Sequence, residues 1–240
     1  MNIADNLSYV NQRIAIALEK RRQHFCAAGR QCLSGDTIEV AAASKYVDAE
    51  TIIEGYKAGL RIFGENKIQD LKSKYDFIKS TRPDILEELK FHVIGHLQTN
   101  KTRDAVVCSE MIQSVDSIKL ARILNEQCEK INKNIGALIE IKTSNEESKT
   151  GIELNDALEL AAEIKSLDRL QLCGVMTMAV FSDNADEVRA CFVKAYDFFE
   201  TLKNKYGDCC RFLSMGMSDD FELAVECGAN MIRAGRILFK

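Results

Sequence analysis

Several stretches of this chain put polar or charged residues where an apolar run stops. The run from Ile38 to Ala43 ends in Ser44 and Lys45. On strand parity Lys45 shares a face with Ala41 and Ala43, and two alanines leave space beside it. An amine in such a place, neutral part of the time, can attack a carbonyl and form a Schiff base. The same position also suits a lysine that caps a strand and reaches for water. Ser214 to Ser218 reads S-M-G-M-S, and a helical pattern runs from Phe221 to Cys227. Small residues such as Ser214, Gly216 and Ser218 let backbone N–H groups approach an anion, and a helix start adds positive potential. Ser218 is equally a good N-cap, which requires no ligand. Near the end, Met231, Arg233 and Gly235 share one strand face. An interior Arg233 demands an anion or a strong acceptor, and either Glu140 or a ligand atom answers that demand.

Other strand-like runs end in further polar residues. F-G-E-N carries Gly64 and Asn66, and H-V-I-G-H-L-Q-T-N-K carries His96, Gln98, Asn100 and Lys101. Asp116 and Met176 close two more runs, and Lys149 lies in T-S-N-E-E-S-K-T-G. His92 and His96 are four residues apart on a strand, so ~13 Å separates them and one metal ion cannot take both. No P-loop, dinucleotide fingerprint or nucleophile-elbow motif is present in the sequence.

The elements that must position these residues alternate. Strand-like runs are Thr37–Ser44, Leu60–Phe63, Lys90–Ile94, Met111–Val115, Ala137–Lys142, Leu170–Met176, Arg211–Met215 and Met231–Leu238. Helical spacing separates them, as in Ile52, Ile53, Tyr56 and Leu60, in Ile118, Ala121, Leu124, Cys128 and Ile131, and in Val188, Phe192, Ala195, Phe199 and Leu202. Such alternation predicts a parallel sheet with crossover helices. Eight units in this length predict a closed (β/α)8 barrel of the TIM type, with an open doubly wound sheet as the alternative. The reading is a single α/β domain over residues 1–240, with an extra N-terminal helix over 1–29. The chain is expected to end at its eighth strand, with that helix covering the gap left by a missing last one.

Bulk properties narrow the class. The 240 residues carry a net charge of −4, with 46% hydrophobic and 28% charged residues. An acidic balance argues against nucleic acid or an anionic membrane as partner. No apolar run approaches the ~18 residues that span a bilayer, and the N-terminus lacks the pattern of a signal peptide. A cytoplasmic protein is expected. The nine cysteines include no C-x-x-C, and most lie in apolar patterns, which suits buried thiols in a reducing compartment.

The stretches A-A-S-K, F-G-E-N, H-V-I-G-H-L-Q-T-N-K, S-K-T-G-I, S-M-G-M-S-D-D-F and R-A-G-R-I-L-F follow in order from Lys45 to the end. As an ordered set they resemble the pyridoxal phosphate homeostasis protein family, across nearly the whole chain beyond the first helix. The resemblance implies a fold-type III barrel like the N-terminal domain of alanine racemase. It implies pyridoxal 5′-phosphate (PLP) as cofactor, held as a Schiff base on Lys45. The phosphate would lie against Ser214, Ser218 and backbone N–H groups near Gly216, Gly235 and Arg236. Arg233 would face the pyridine nitrogen, Asn66 and Met176 would lie near the ring, and Lys149 would assist cofactor release. Arg236 stands where the family usually has Thr or Ser, so a hydroxyl contact to phosphate would be lost.

Implied partners are PLP and other B6 vitamers, with PLP-dependent apoenzymes as recipients and a monomer as the state. The implied role is cofactor buffering or delivery without catalysis. The alternative is a single-domain amino-acid racemase, which needs acid/base groups on both faces of the substrate carbon. The expected chain end leaves out the second domain from which related racemases take their tyrosine. A phosphosugar barrel enzyme would account for the anion site but not for the ordered motifs.

Overall fold

A computed structural model describes residues 2–27, 37–144 and 150–240. Eight parallel strands close into a barrel in sequence order. They are β1 (Glu39–Ala43), β2 (Ile62–Glu65), β3 (Lys90–Val93), β4 (Met111–Val115), β5 (Ile135–Glu140), β6 (Leu170–Met176), β7 (Phe212–Ser214) and β8 (Met231–Ala234). The helices are α1 (Ile3–Ala27), α2 (Ala49–Lys57), α3 (Ile68–Thr81), α4 (Pro83–Leu86), α5 (Thr102–Cys108), α6 (Ile118–Lys130), α7 (Leu154–Ser166), α8 (Ala185–Tyr206), α9 (Phe221–Glu226) and α10 (Arg236–Phe239). No helix among the described residues is long and apolar enough to cross a membrane.

Two apolar layers follow from strand parity. Outward residues such as Phe63, Phe91, Ile112 and Val175 meet helix residues such as Ile52, Leu71 and Leu160 in the main core. Inside the barrel, Met111, Leu138, Cys173 and Met176 form one cluster and Ala41, Ile62 and Met231 another. A closed barrel of this kind places its working residues at the C-terminal strand ends.

Three expectations need correction. The second strand runs over Ile62–Glu65 rather than Leu60–Phe63, because the Leu60 N–H turns back to the Gly55 carbonyl at the end of α2 (2.9 Å). Leu60 belongs to the helix exit, and Glu65, which reads as loop, is a fully buried strand residue. The last strand stops at Ala234, since the Leu238 N–H returns to the Gly235 carbonyl (2.9 Å) and opens α10. The chain therefore does not end at a strand. The N-terminal helix covers α9 and α10 together, burying Val10, Ile14 and Ala17 and donating from Asn6 Nδ2 to the Leu238 carbonyl (2.9 Å).

Candidate functional site

The C-terminal mouth is built around a buried cation. Arg233 lies on the inward face of β8 and is 4% exposed. Its NH1 donates to the Ser214 hydroxyl (2.8 Å) and its NH2 to the Thr177 carbonyl (2.8 Å). Its other guanidinium N–H groups meet no acceptor among the described residues. Burial lowers the Arg233 pKa to about 10, and the charges of Asp220 and Glu140 oppose that shift. Glu140 is not its hydrogen-bond partner. That carboxylate accepts from the Thr150 hydroxyl, while its Oε2 is buried without a partner. Burial raises the Glu140 pKa, against the pull of the Thr150 bond.

The chain of donors continues across the barrel interior. Ser214 donates to Gln113 Oε1 (2.6 Å), and Gln113 Nε2 donates to His92 Nδ1 (2.9 Å). An amide nitrogen only donates, so the His92 proton sits on Nε2. All four side chains are buried. They form one polarised path from guanidinium to imidazole, and every link fixes the orientation of the next. Burial, with a smaller effect from Lys90, holds His92 down to about 3, from an ordinary 6.5. Between those values the unfolded chain binds a proton that the folded chain refuses. The stability this group contributes is thus complete above 6.5 and lost as pH falls through the window. His92→Gln should flatten the fall in urea midpoint between about pH 7 and about pH 5; an unaltered slope would contradict a buried neutral imidazole.

The loops after β7 and β8 meet beside Arg233. Its backbone N–H donates to the Gly216 carbonyl (2.9 Å), and the Gly235 N–H donates to the Ser218 hydroxyl (3.3 Å). Gly216 has φ +89°, and a Cβ there would sit 2.6 Å from the Ala224 Cβ. Gly235 is tight for another reason, since its Cβ would lie 3.0 Å from the Ala43 carbonyl oxygen. That approach brings the loop after β8 against the end of β1. Arg236 and Ile237 open α10, and the first N–H groups of a helix have no acceptor within it. Gly216→Ala is expected to cost about 1–3 kcal/mol of stability through the left-handed backbone and the crowding. A thermal midpoint within a degree of the parent would refute this.

Other sequence-predicted residues lie further from this centre. Met176 is fully buried and in register with Ser214 and Glu140. Ser214 itself is committed to Arg233 and Gln113, deeper than a loop ligand would be. Asn66 is exposed in the β2–α3 loop. The Arg236 guanidinium is exposed and paired with Asp219, so its side chain binds the two loops together at the surface. Lys149 lies outside the described residues. Lys45 does not continue the strand face of Ala41 and Ala43: β1 stops at Ala43, and Lys45 sits in an exposed turn, as a lysine reaching for water would, with Nζ 5.2 Å from the Tyr46 ring centroid. His96 and Asp116 face each other across the mouth at 3.4 Å.

Gln113 and Thr177 were missed by motif reading. Gln113 had a signal, since it shares the strand parity of Met111 and Val115 in M-I-Q-S-V, a polar side chain between two apolar ones on that face. Thr177 acts through its backbone carbonyl, which residue type does not reveal.

Residues 30–240 match the family model described as the alanine racemase N-terminal domain. A pyridoxal phosphate homeostasis protein of Helicobacter pylori is 37% identical over 205 residues, 85% of this chain and 87% of its own length. Another, from Aquifex aeolicus, is 34% identical over 239 residues, 100% of this chain and 98% of its own. The solved structure of PipY from Synechococcus elongatus, with PLP bound, superposes with a TM-score of 0.81 at 29% identity and 100% coverage of both chains.

Proposed function

This chain belongs to the pyridoxal phosphate homeostasis protein family, built on the alanine racemase N-terminal domain, and from that membership we propose that it holds PLP at the barrel mouth as a Schiff base on Lys45, to buffer or deliver the cofactor rather than to turn over a substrate. Its cofactor is PLP, the molecule bound in the solved PipY structure. When bound, PLP supplies an aldehyde carbon, a phosphate dianion and a pyridine ring able to delocalise charge.

The residues fit that group. The single observation that carries the reading is Arg233, a buried guanidinium with N–H groups that meet no acceptor among the described residues, beside two glycines where a Cβ would be crowded. The backbone near Gly216, Gly235 and Arg236, with the Ser218 hydroxyl, offers donors to a phosphate. Arg233 offers an N–H to a ring nitrogen. Because an arginine gives up no proton readily, the ring nitrogen stays unprotonated and the ring is a poor electron sink. Lys45 supplies the amine, after its side chain leaves the solvent and enters the mouth. Ser214 serves by holding Arg233, Met176 by walling the interior below it, and Asn66 and Lys149 are assigned to the ring side and to release.

Racemisation asks for a second proton-handling group opposite the lysine. Tyr46, the tyrosine next to Lys45, is 82% exposed and turned outward. We read the chain as one cytoplasmic domain, acting as a monomer, with PLP, other B6 vitamers and PLP-dependent apoenzymes as partners. The test is an absorbance spectrum before and after borohydride, with a mass spectrum of the Lys45 peptide. An imine band fixed on Lys45 is expected, and its absence would overturn the reading. In the same preparation, L-alanine should not racemise faster than with free PLP. A rate well above that would make the protein an enzyme.

A further inference from the structure

Lys74 and Glu65 form a buried ion pair where the fold calls for apolar residues. Glu65 faces outward from β2 under the helix layer and is 0% exposed; Lys74 comes from the core-facing side of α3 and is 9% exposed. Lys74 lies between Leu71 and Ile78, both fully buried, at helical spacing. Replacing a buried ion pair with well-packed hydrophobes is often neutral or stabilising, so stability alone does not account for this one.

What the pair touches is the base of the Lys45 turn. Lys74 Nζ donates to Glu65 Oε1 (2.5 Å) and to the Ser44 carbonyl (2.8 Å). The Ser44 hydroxyl donates to the same carboxylate oxygen (2.7 Å), and the Ser44 N–H donates to the Gly64 carbonyl (2.9 Å). The Ser44 carbonyl also accepts from the Val47 N–H (3.1 Å), closing a four-residue turn with Lys45 and Tyr46 at its centre. Every polar atom of Ser44 is thereby held. The plane of the peptide joining Ser44 to Lys45 is set by an ammonium group from another element. Glu65 Oε2 is buried with no partner, so the arrangement is retained at a cost.

We infer that Lys74 and Glu65 are positioning residues for Lys45: they lock the Ser44–Val47 turn so that the amine emerges in one direction, preorganised for condensation with the PLP aldehyde, in which the neutral amine nitrogen would bond to the aldehyde carbon and the aldehyde oxygen would leave as water with the two amine protons. This rests on the reading of Lys45 as the PLP lysine. The lock acts on the backbone, leaving only side-chain torsions to bring Nζ from its present exposed place into the mouth. Preorganisation of this sort raises the rate of bond formation without altering how tightly the rest of the ligand is held.

The decisive variant is the double replacement Glu65→Leu/Lys74→Met, which removes both charges at once and leaves no buried ion unpaired. Glu65→Gln alone accompanies it and keeps the shape of the carboxylate. Four measurements are made on the full chain: the unfolding temperature, the rate at which PLP becomes borohydride-fixable on Lys45, the affinity for pyridoxine 5′-phosphate, which lacks the aldehyde, and hydrogen exchange of the Val47 amide without ligand. The double variant should unfold at a parent-like temperature, bind pyridoxine 5′-phosphate within about 2-fold of the parent, and form the Lys45 adduct at least ~10-fold more slowly. The Val47 amide should exchange at least ~10-fold faster. An adduct rate equal to the parent's would overturn the inference, as would an equal loss of pyridoxine 5′-phosphate binding. If the parent protein forms no adduct on Lys45, the PLP reading fails on its own. The Val47 amide then decides whether the lock exists, and unaltered exchange would dismiss it.

Discussion

Lys45→Ala is expected to abolish the borohydride-fixed adduct and to weaken PLP binding by roughly 100-fold, about 2.7 kcal/mol. Cofactor should still bind, because the donors proposed for the phosphate near Gly216, Gly235 and Arg236 and the Arg233 guanidinium are untouched by the change. The Lys45 side chain is exposed and carries no core packing, so the thermal midpoint of the free protein should stay where it is. Equilibrium dialysis against PLP, paired with a borohydride spectrum, separates the two contributions. A persistent imine band in the variant would move the reactive amine to another lysine. Complete loss of binding would show that the phosphate side contributes little by itself.

Arg233→Gln is the second large effect, and it acts on both stability and spectrum. The shorter amide cannot serve the Ser214 hydroxyl and the Thr177 carbonyl together at the distances seen. One buried acceptor is left without a donor, at a cost of about 1–3 kcal/mol. The donor chain to Gln113 and His92 loses its charged end, so Ser214 and Gln113 become free to reorient. With PLP bound, the ring nitrogen loses its facing donor and the imine absorbance should shift. Urea unfolding of the free protein reads the first effect and the absorbance maximum reads the second. A stable variant with an unshifted band would remove Arg233 from the ring. A destabilised variant with an unshifted band would leave it as a structural residue of the interior.

The architecture was legible because its signals are local. Apolar runs of strand length recur between helix-spaced segments, and a parallel sheet is the arrangement that alternation permits. The two loops that meet beside Arg233 were legible for the same reason: Gly216, Ser218, Gly235 and Arg236 lie in two short stretches whose backbone needs are written in residue type. Parity put Arg233 on one face with Met231, and the closed barrel made that face the interior.

What the sequence could not state was who partners whom. It offered Glu140 for Arg233, and the fold supplied Ser214 and a backbone carbonyl of Thr177 instead, because barrel shear sets neighbouring strands at different heights. It also put Lys45 on the strand face of Ala41 and Ala43, whereas the strand ends two residues earlier and the lysine rides on a turn. That turn is held by Lys74, thirty positions along the chain. The sequence by itself determined the alternation of elements, the strand face that Met231 and Arg233 share and the small residues of the loops after β7 and β8, since each depends on neighbours a few residues apart. Only the tertiary structure decided the donor chain from Arg233 to His92 and the grip of Lys74 and Glu65 on Ser44, since hydrogen bonds between distant segments exist only after the barrel has closed.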